Sequence, residues 1–183
     1  DYDYCEPTEL CVEVVDGTNL TSATGYTGST NKTFVLLQDV NNSNYLNYWN
    51  CTLYGNGFTL SLSGAPTTYK SSQGHGVVMV KNATIDNLVI KGDVYNSYGA
   101  YISQDCYNAA VDIIGETVIQ NCFISNCAAP VNARADVTIK NTTLYGGTVA
   151  NLLIKSGTVT LEDVITANYA DGRTLVGMGI VAH

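Results

Sequence analysis

The chain has 183 residues, of which 13% are charged, with a formal net charge of −8 and an isoelectric point near 4.4. That is one domain, and its 45% of hydrophobic residues are enough for a continuous core. The acidity and the lack of any basic stripe argue against nucleic acid, and a polyanionic substrate would need a bridging cation. No apolar run reaches the roughly 20 residues of a membrane span.

In chain order, residues 1–32 form a first unit. Leu10-Cys-Val-Glu-Val-Val15 reads as a strand and leads into a Gly/Thr/Ser-rich stretch to Thr30. This segment is expected to cap the open end of a stack; the alternative is an arm that adds to a neighbouring molecule. Cys5 and Cys11 are close enough in sequence to staple it.

From residue 33 to 183 one phrase recurs. It reads Tyr48-Trp49-Asn50-Cys51-Thr52-Leu53, Ile85-Asp86-Asn87-Leu88-Val89-Ile90 and Ile119-Gln120-Asn121-Cys122-Phe123-Ile124. Ile139-Lys140-Asn141-Thr142-Thr143-Leu144 and Leu161-Glu162-Asp163-Val164-Ile165-Thr166 follow. The last three copies are 20 and 22 residues apart, the earlier ones 37 and 34. A period near twenty, built of β-formers and broken by Asn and Gly, is that of a solenoid. The Asn accepts the left-handed conformation that turns one short strand into the next. Stacked at about 4.8 Å per turn, Cys51, Leu88, Cys122, Thr142 and Val164 should form one inner column. Leu53, Ile90, Ile124 and Leu144 should form a second. The Asn and Asp side chains should stack likewise.

Phrases such as Val137-Thr-Ile-Lys-Asn-Thr-Thr-Leu-Tyr-Gly-Gly147 and Asn50-Cys-Thr-Leu-Tyr-Gly-Asn-Gly-Phe-Thr-Leu60 resemble the pectin-lyase-like superfamily. The resemblance runs from about Thr33 to the C-terminus. It implies an all-β fold, a right-handed, single-stranded parallel β-helix, for which 183 residues are enough to make about eight turns. It implies little about activity, because that fold hosts lyases, hydrolases, adhesins, tailspikes and fibres.

Two insertions interrupt the repeat. Residues 62–75 are rich in Ser, Gly, Pro and Thr, and residues 92–109 carry Tyr95, Tyr98, Tyr101 and Tyr107. Loops on one edge of a solenoid are where binding resides, and such tyrosines can stack on sugars or on another subunit. Outward positions between the inner columns are Thr52, Val89, Phe123, Thr143 and Ile165. Val89, Phe123 and Ile165 make an apolar stripe expected to be an interaction surface. The next outward column, Asp86, Gln120, Lys140 and Glu162, is polar, and Lys140 should pair with Glu162.

The six cysteines and six glycosylation sequons point outside the cell. Asn50 and Asn141 occupy the stacked position and should be buried, which leaves Asn19, Asn31, Asn41 and Asn82 as glycan acceptors. Cys106 is expected to reach Cys127, whereas Cys51 and Cys122, at least two turns apart in one column, should remain buried thiols. The start at Asp1, with neither Met nor leader, reads as a processed chain. The apolar ending Thr174-Leu-Val-Gly-Met-Gly-Ile-Val-Ala-His183 has no polar cap. It calls for more chain or for another molecule.

Catalytic patterns are incomplete. Gly74-His75-Gly76 matches a tripeptide of polygalacturonases, but the Asn-Thr-Asp, paired-Asp and Arg-Ile-Lys motifs that accompany it there are missing. No spacing suggests a metal, and no cofactor is implied. No basic residue has an acidic cluster beside it in sequence; clustering across turns, for example around Asp105, Asp112 and Arg134, stays open. The reading is an extracellular or cell-surface structural or adhesive element without catalysis, self-associating end to end into a filament. The alternative is a carbohydrate-active enzyme or carbohydrate-binding module.

Overall fold

The computed structural model describes residues 11–22, 32–42, 46–62, 76–92, 109–168 and 178–182. The first elements are β1 (Cys11–Val14), α1 (Gly17–Ser22), β2 (Thr33–Leu36), β3 (Val40–Asn41) and β4 (Leu46–Trp49). Next come β5 (Thr52–Tyr54), β6 (Thr59–Ser61), β7 (Gly76–Lys81), β8 (Ala83–Asp86), β9 (Val89–Lys91) and β10 (Ala109–Ile113). Then follow β11 (Thr117–Gln120), β12 (Phe123–Ser125), β13 (Ala129–Ala133), β14 (Val137–Tyr145), β15 (Ala150–Ile154), β16 (Val159–Ala167) and β17 (Met178–Ala182).

Every strand pairing is parallel, and the strands fall into one 11-stranded and one 6-stranded sheet. The protein is a parallel β-helix with three strand positions per turn, and the smaller sheet supplies one strand to each of six turns. In the larger sheet the first side comprises β1, β2, β5, β8, β11 and the first half of β14. The second side comprises β3, β6, β9, β12 and the second half of β14. β16 pairs with both halves of β14, from Val137↔Val159 to Tyr145↔Ala167. β4, β7, β10, β13, β15 and β17 form the third side.

Alternation of side chains along each strand converts this register into ladders. Phe34, Leu53, Ile85, Ile119, Ile139 and Leu161 are successive partners on the first side, and all but Leu161 are buried. Leu60, Ile90, Ile124 and Leu144 do the same on the second side, and Val78, Val111, Val131 and Leu152 on the third. Together they form one core cluster along the axis.

This register corrects the alignment of the first phrase. Leu53 pairs with Ile85, and it is Leu60 that meets Ile90. Asn50 therefore turns the third side into the first, whereas Asn87, Asn121, Asn141 and Asp163 turn the first into the second. Both corners need a left-handed residue: φ is 52° at Asn50, 48° at Asn82, 51° at Asn87, 56° at Asn121, 43° at Asn141 and 51° at Asp163. One residue type serves two corners, so Cys51 and Cys122 do not share a column. Thr59, not Thr52, heads the outward row of Val89, Phe123, Thr143 and Ile165. In the turn of β5 and β6 the corner is longer. A Cβ on Gly55 would stand 2.5 Å from Cα and Cβ of Leu88 in the following turn.

The two ends differ. At the start, Asp16 caps α1, its carboxylate accepting from Thr18 N at 2.8 Å and Asn19 N at 3.2 Å. α1 sends Leu20, fully buried, into the core cluster. At the far end of the described residues the inner rows are more exposed: Leu161 is 38% exposed and Ile180 47%, while Ile139 and Leu152 one turn earlier are 0%.

Cys51, Cys122 and Cys127 are buried as thiols. That overturns the bridge from Cys106 to Cys127. Cys127 turns the second side into the third at φ 58° and points its Sγ to where a Cβ on Gly92 would be, inside the stack. Cys11 is disulfide-bonded to a residue outside the described segments; Cys5 and Cys106 lie outside them too. Burial pushes the Cys122 thiol from 9.0 up to about 12. The neutral form is thus favoured in the folded state. Stability from this group is complete below about pH 9 and falls as pH rises towards 12. Thiol reagents at pH 8 are expected to reach Cys122 only after denaturation, which alkylation followed by peptide mapping checks.

Candidate functional site

The outer face of the third side holds the polar cluster that sequence could only name as residues. Asn47, Met79, Asp112, Asn132 and Leu153 are successive partners there, facing away from the inner row of Val111 and Val131. An outward row ordinarily meets water, yet Asp112 is 0% and Asn132 2% exposed. Ala129, Ala150 and Leu153 make a second, smaller apolar cluster. Residues 63–75, 93–108 and 169–177, which connect the second side to the third, lie outside the described segments.

Asp112 is held on both oxygens. Arg134 Nε donates to Oδ1 at 3.1 Å and Nη2 to Oδ2 at 2.5 Å, while Asn132 Nδ2 donates to Oδ1 at 3.0 Å. The fork is bidentate, and Arg134 keeps 28% of its side chain exposed. Asn132 Oδ1 is buried without a hydrogen-bond partner. Asp112 and Arg134 thus meet across adjacent turns, and Asp105 lies outside the described residues. Among the described residues no group of three His, Cys, Asp or Glu could hold a metal.

A second polar feature runs along the corner between the first and second sides. Asn141 Nδ2 donates to Asn121 Oδ1 at 2.8 Å, and Asn121 Nδ2 donates to Asp86 Oδ1 at 2.9 Å. Gln120 Nε2 also donates to Asp86, at 2.9 Å to Oδ2. Each amide thus gives its hydrogen towards the N-terminal neighbour. At Asp163, opposite Asn141, the series meets a carboxylate, which has no hydrogen to give. Asp163→Asn is expected to add a rung from the new amide to Asn141 Oδ1. The gain is about 0.5–1 kcal/mol, read as a higher midpoint in thermal melts.

The corner series is on the surface, so the expected burial of Asn50 and Asn141 does not hold; both are exposed. At these two corners the left-handed residue stands its side chain off the edge of the stack rather than in it. Asn82 is also exposed and donates Nδ2 to Asn50 Oδ1 at 3.0 Å. Asn41 is exposed on β3, Asn19 lies in the first turn of α1, and Asn31 is outside the described residues. In the outward row, Val89 and Phe123 are half-buried and Ile165 is 61% exposed. Phe123 leans on Tyr145 with ring centroids 6.0 Å apart. Lys140 and Glu162 pair at 3.0 Å as expected. The tyrosines of the second insertion, Gly74 and His75 are not among the described residues.

Sequence reading missed an outward row on the first side. Thr33, Thr52, Thr84, Val118, Thr138 and Thr160 are successive partners, flanked by open clefts that also take in Asn50, Asn82, Glu116 and Asp136. The signal was present, but the misplaced first phrase hid it. No known protein family matches this chain, and neither does any curated protein or solved structure.

Proposed function

We propose that this chain is an extracellular, non-catalytic β-helix, kin to the pectin-lyase-like superfamily, that serves as a structural or adhesive element and joins copies of itself end to end. The observation that carries this is the register: every described strand pairs in parallel with its equivalent one turn away, and the inner rows continue from turn to turn. Leu161 and Ile180, in the last described turn, are 38% and 47% exposed, whereas their partners Ile139 and Leu152 are buried. Each turn is itself a template for the next, so a second copy finds the same spacing and the same alternation of side chains. β1 carries the edge of the first side at the other end and is the strand that such a partner would offer.

Electron microscopy and sedimentation of the purified protein over a fifty-fold range of concentration test this. End-to-end particles that lengthen with concentration are expected, and Leu161→Lys with Ile180→Lys should disperse them. Single rods at all concentrations would sink the assembly reading.

The buried Asp112–Arg134–Asn132 cluster favours a second reading, a carbohydrate-active or carbohydrate-binding face on the third side. The exposed part of Arg134 would offer donors to a sugar. Binding of neutral oligosaccharides that is lost in Arg134→Lys, which keeps a charge beside Asp112 but not the planar fork, would support it.

A further inference from the structure

The direction of the amide hydrogen bonds decides which corner asparagines can carry a modification. Asn50, Asn82 and Asn141 all stand in sequons, Asn50-Cys51-Thr52, Asn82-Ala83-Thr84 and Asn141-Thr142-Thr143, and all three are exposed. Their nitrogens are not equivalent. Asn82 Nδ2 is wedged 3.0 Å from Asn50 Oδ1, and Asn141 Nδ2 is 2.8 Å from Asn121 Oδ1. Asn50 is the receiving end of its pair: Oδ1 accepts from Asn82, and Nδ2 has no acceptor among the described residues. Beside it opens a cleft lined by Lys32, Thr33, Thr52, Asn82 and Thr84.

We infer that Asn50 is an N-glycosylation site compatible with the finished fold, and that Asn82 and Asn141 are not. The inference rests on the extracellular reading above and names where the sugar of that surface sits. In the transfer, Asn50 Nδ2 forms a bond to the anomeric carbon of an oligosaccharide donated from a lipid-linked diphosphate. The bond from that carbon to the diphosphate oxygen breaks, the lipid diphosphate leaves, and the nitrogen gives up one proton. Asn50 keeps its Oδ1 for Asn82, so no bond of the corner is lost. On Asn82 or Asn141 the same step replaces a hydrogen of the nitrogen that bridges two turns, and it places a ring between stacked side chains about 4.8 Å apart.

The test is secretion of the chain from a eukaryotic cell line, as three variants that each retain one corner sequon. The other two are removed through the hydroxyl residue: Thr52→Val, Thr84→Val and Thr143→Val. Occupancy is read by mass spectrometry after glycosidase release in heavy-oxygen water, which turns each occupied Asn into a labelled Asp, and folding by thermal melts of each glycosylated variant beside the same variant made in bacteria, which keeps the unmodified Asn. Expected is an occupied Asn50 whose variant melts at the same temperature with and without sugar. For Asn82 and Asn141 the expectation is scarce secretion, or a glycoform that melts about 2–4 °C lower than the same chain without sugar. An empty Asn50, or equal occupancy of Asn82 with no shift, would overturn it. Natively isolated protein without any glycan would instead count against the extracellular reading, whatever the variants show.

Discussion

Arg134→Met is expected to cost up to about 5 kcal/mol of folding stability. Asp112 has no exposure of its own, and this guanidinium donates to both of its carboxylate oxygens while Asn132 donates to one of them. With Arg134 gone, the buried charge loses its bidentate partner. Removing both charges together, in Asp112→Leu with Arg134→Met, should restore much of the loss, because a buried carboxylate deprived of its guanidinium costs more than the attraction itself contributes. Lys140→Met is the control. Lys140 and Glu162 sit 3.0 Å apart with side chains 43% and 53% exposed, so breaking their pair should cost no more than about 1 kcal/mol. Denaturant titrations of the four proteins measure all of this. A loss of less than about 1 kcal/mol in Arg134→Met would mean that the cluster is wetter than its geometry implies.

The difference between these two ion pairs also marks what sequence could show. Lys140 and Glu162 lie in the unbroken part of the repeat, 22 residues apart, where counting alone places one over the other. Asp112 and Asn132 are 20 residues apart in the same phase, with Val111 and Ile113 around the one and Val131 and Ala133 around the other. The partnership was legible, but not its burial. An outward position on a solenoid is expected to be wet, and the period itself carries no sign that this one is dry. The left-handed asparagines made the fold readable and also caused its main misreading. Asn50 and Asn87 satisfy the same backbone requirement at different corners, and nothing in their own chemistry tells the corners apart. Only pairing does so, when Leu53 meets Ile85 and leaves Leu60 for Ile90.

That ladder supplies the other large effect. Ile139→Ala is expected to cost about 2–5 kcal/mol, because Ile139 is fully buried between Ile119 and Leu161 and the turns on either side cannot close over the missing atoms. Leu161→Ala removes the next member of the same row and should cost far less in the isolated molecule, since one side of Leu161 already faces water. The gap between the two substitutions measures how open the last turn is. It should also depend on concentration. If a second copy covers that turn, mass action raises the melting temperature of the unmodified protein as it is concentrated, and Leu161→Ala should abolish the rise while Ile139→Ala preserves it. Melts of all three proteins at concentrations fifty-fold apart decide the matter. A melting temperature that stays level in the unmodified protein, with Leu161→Ala tolerated equally at both concentrations, would leave the last turn uncovered and remove the physical basis for end-to-end assembly.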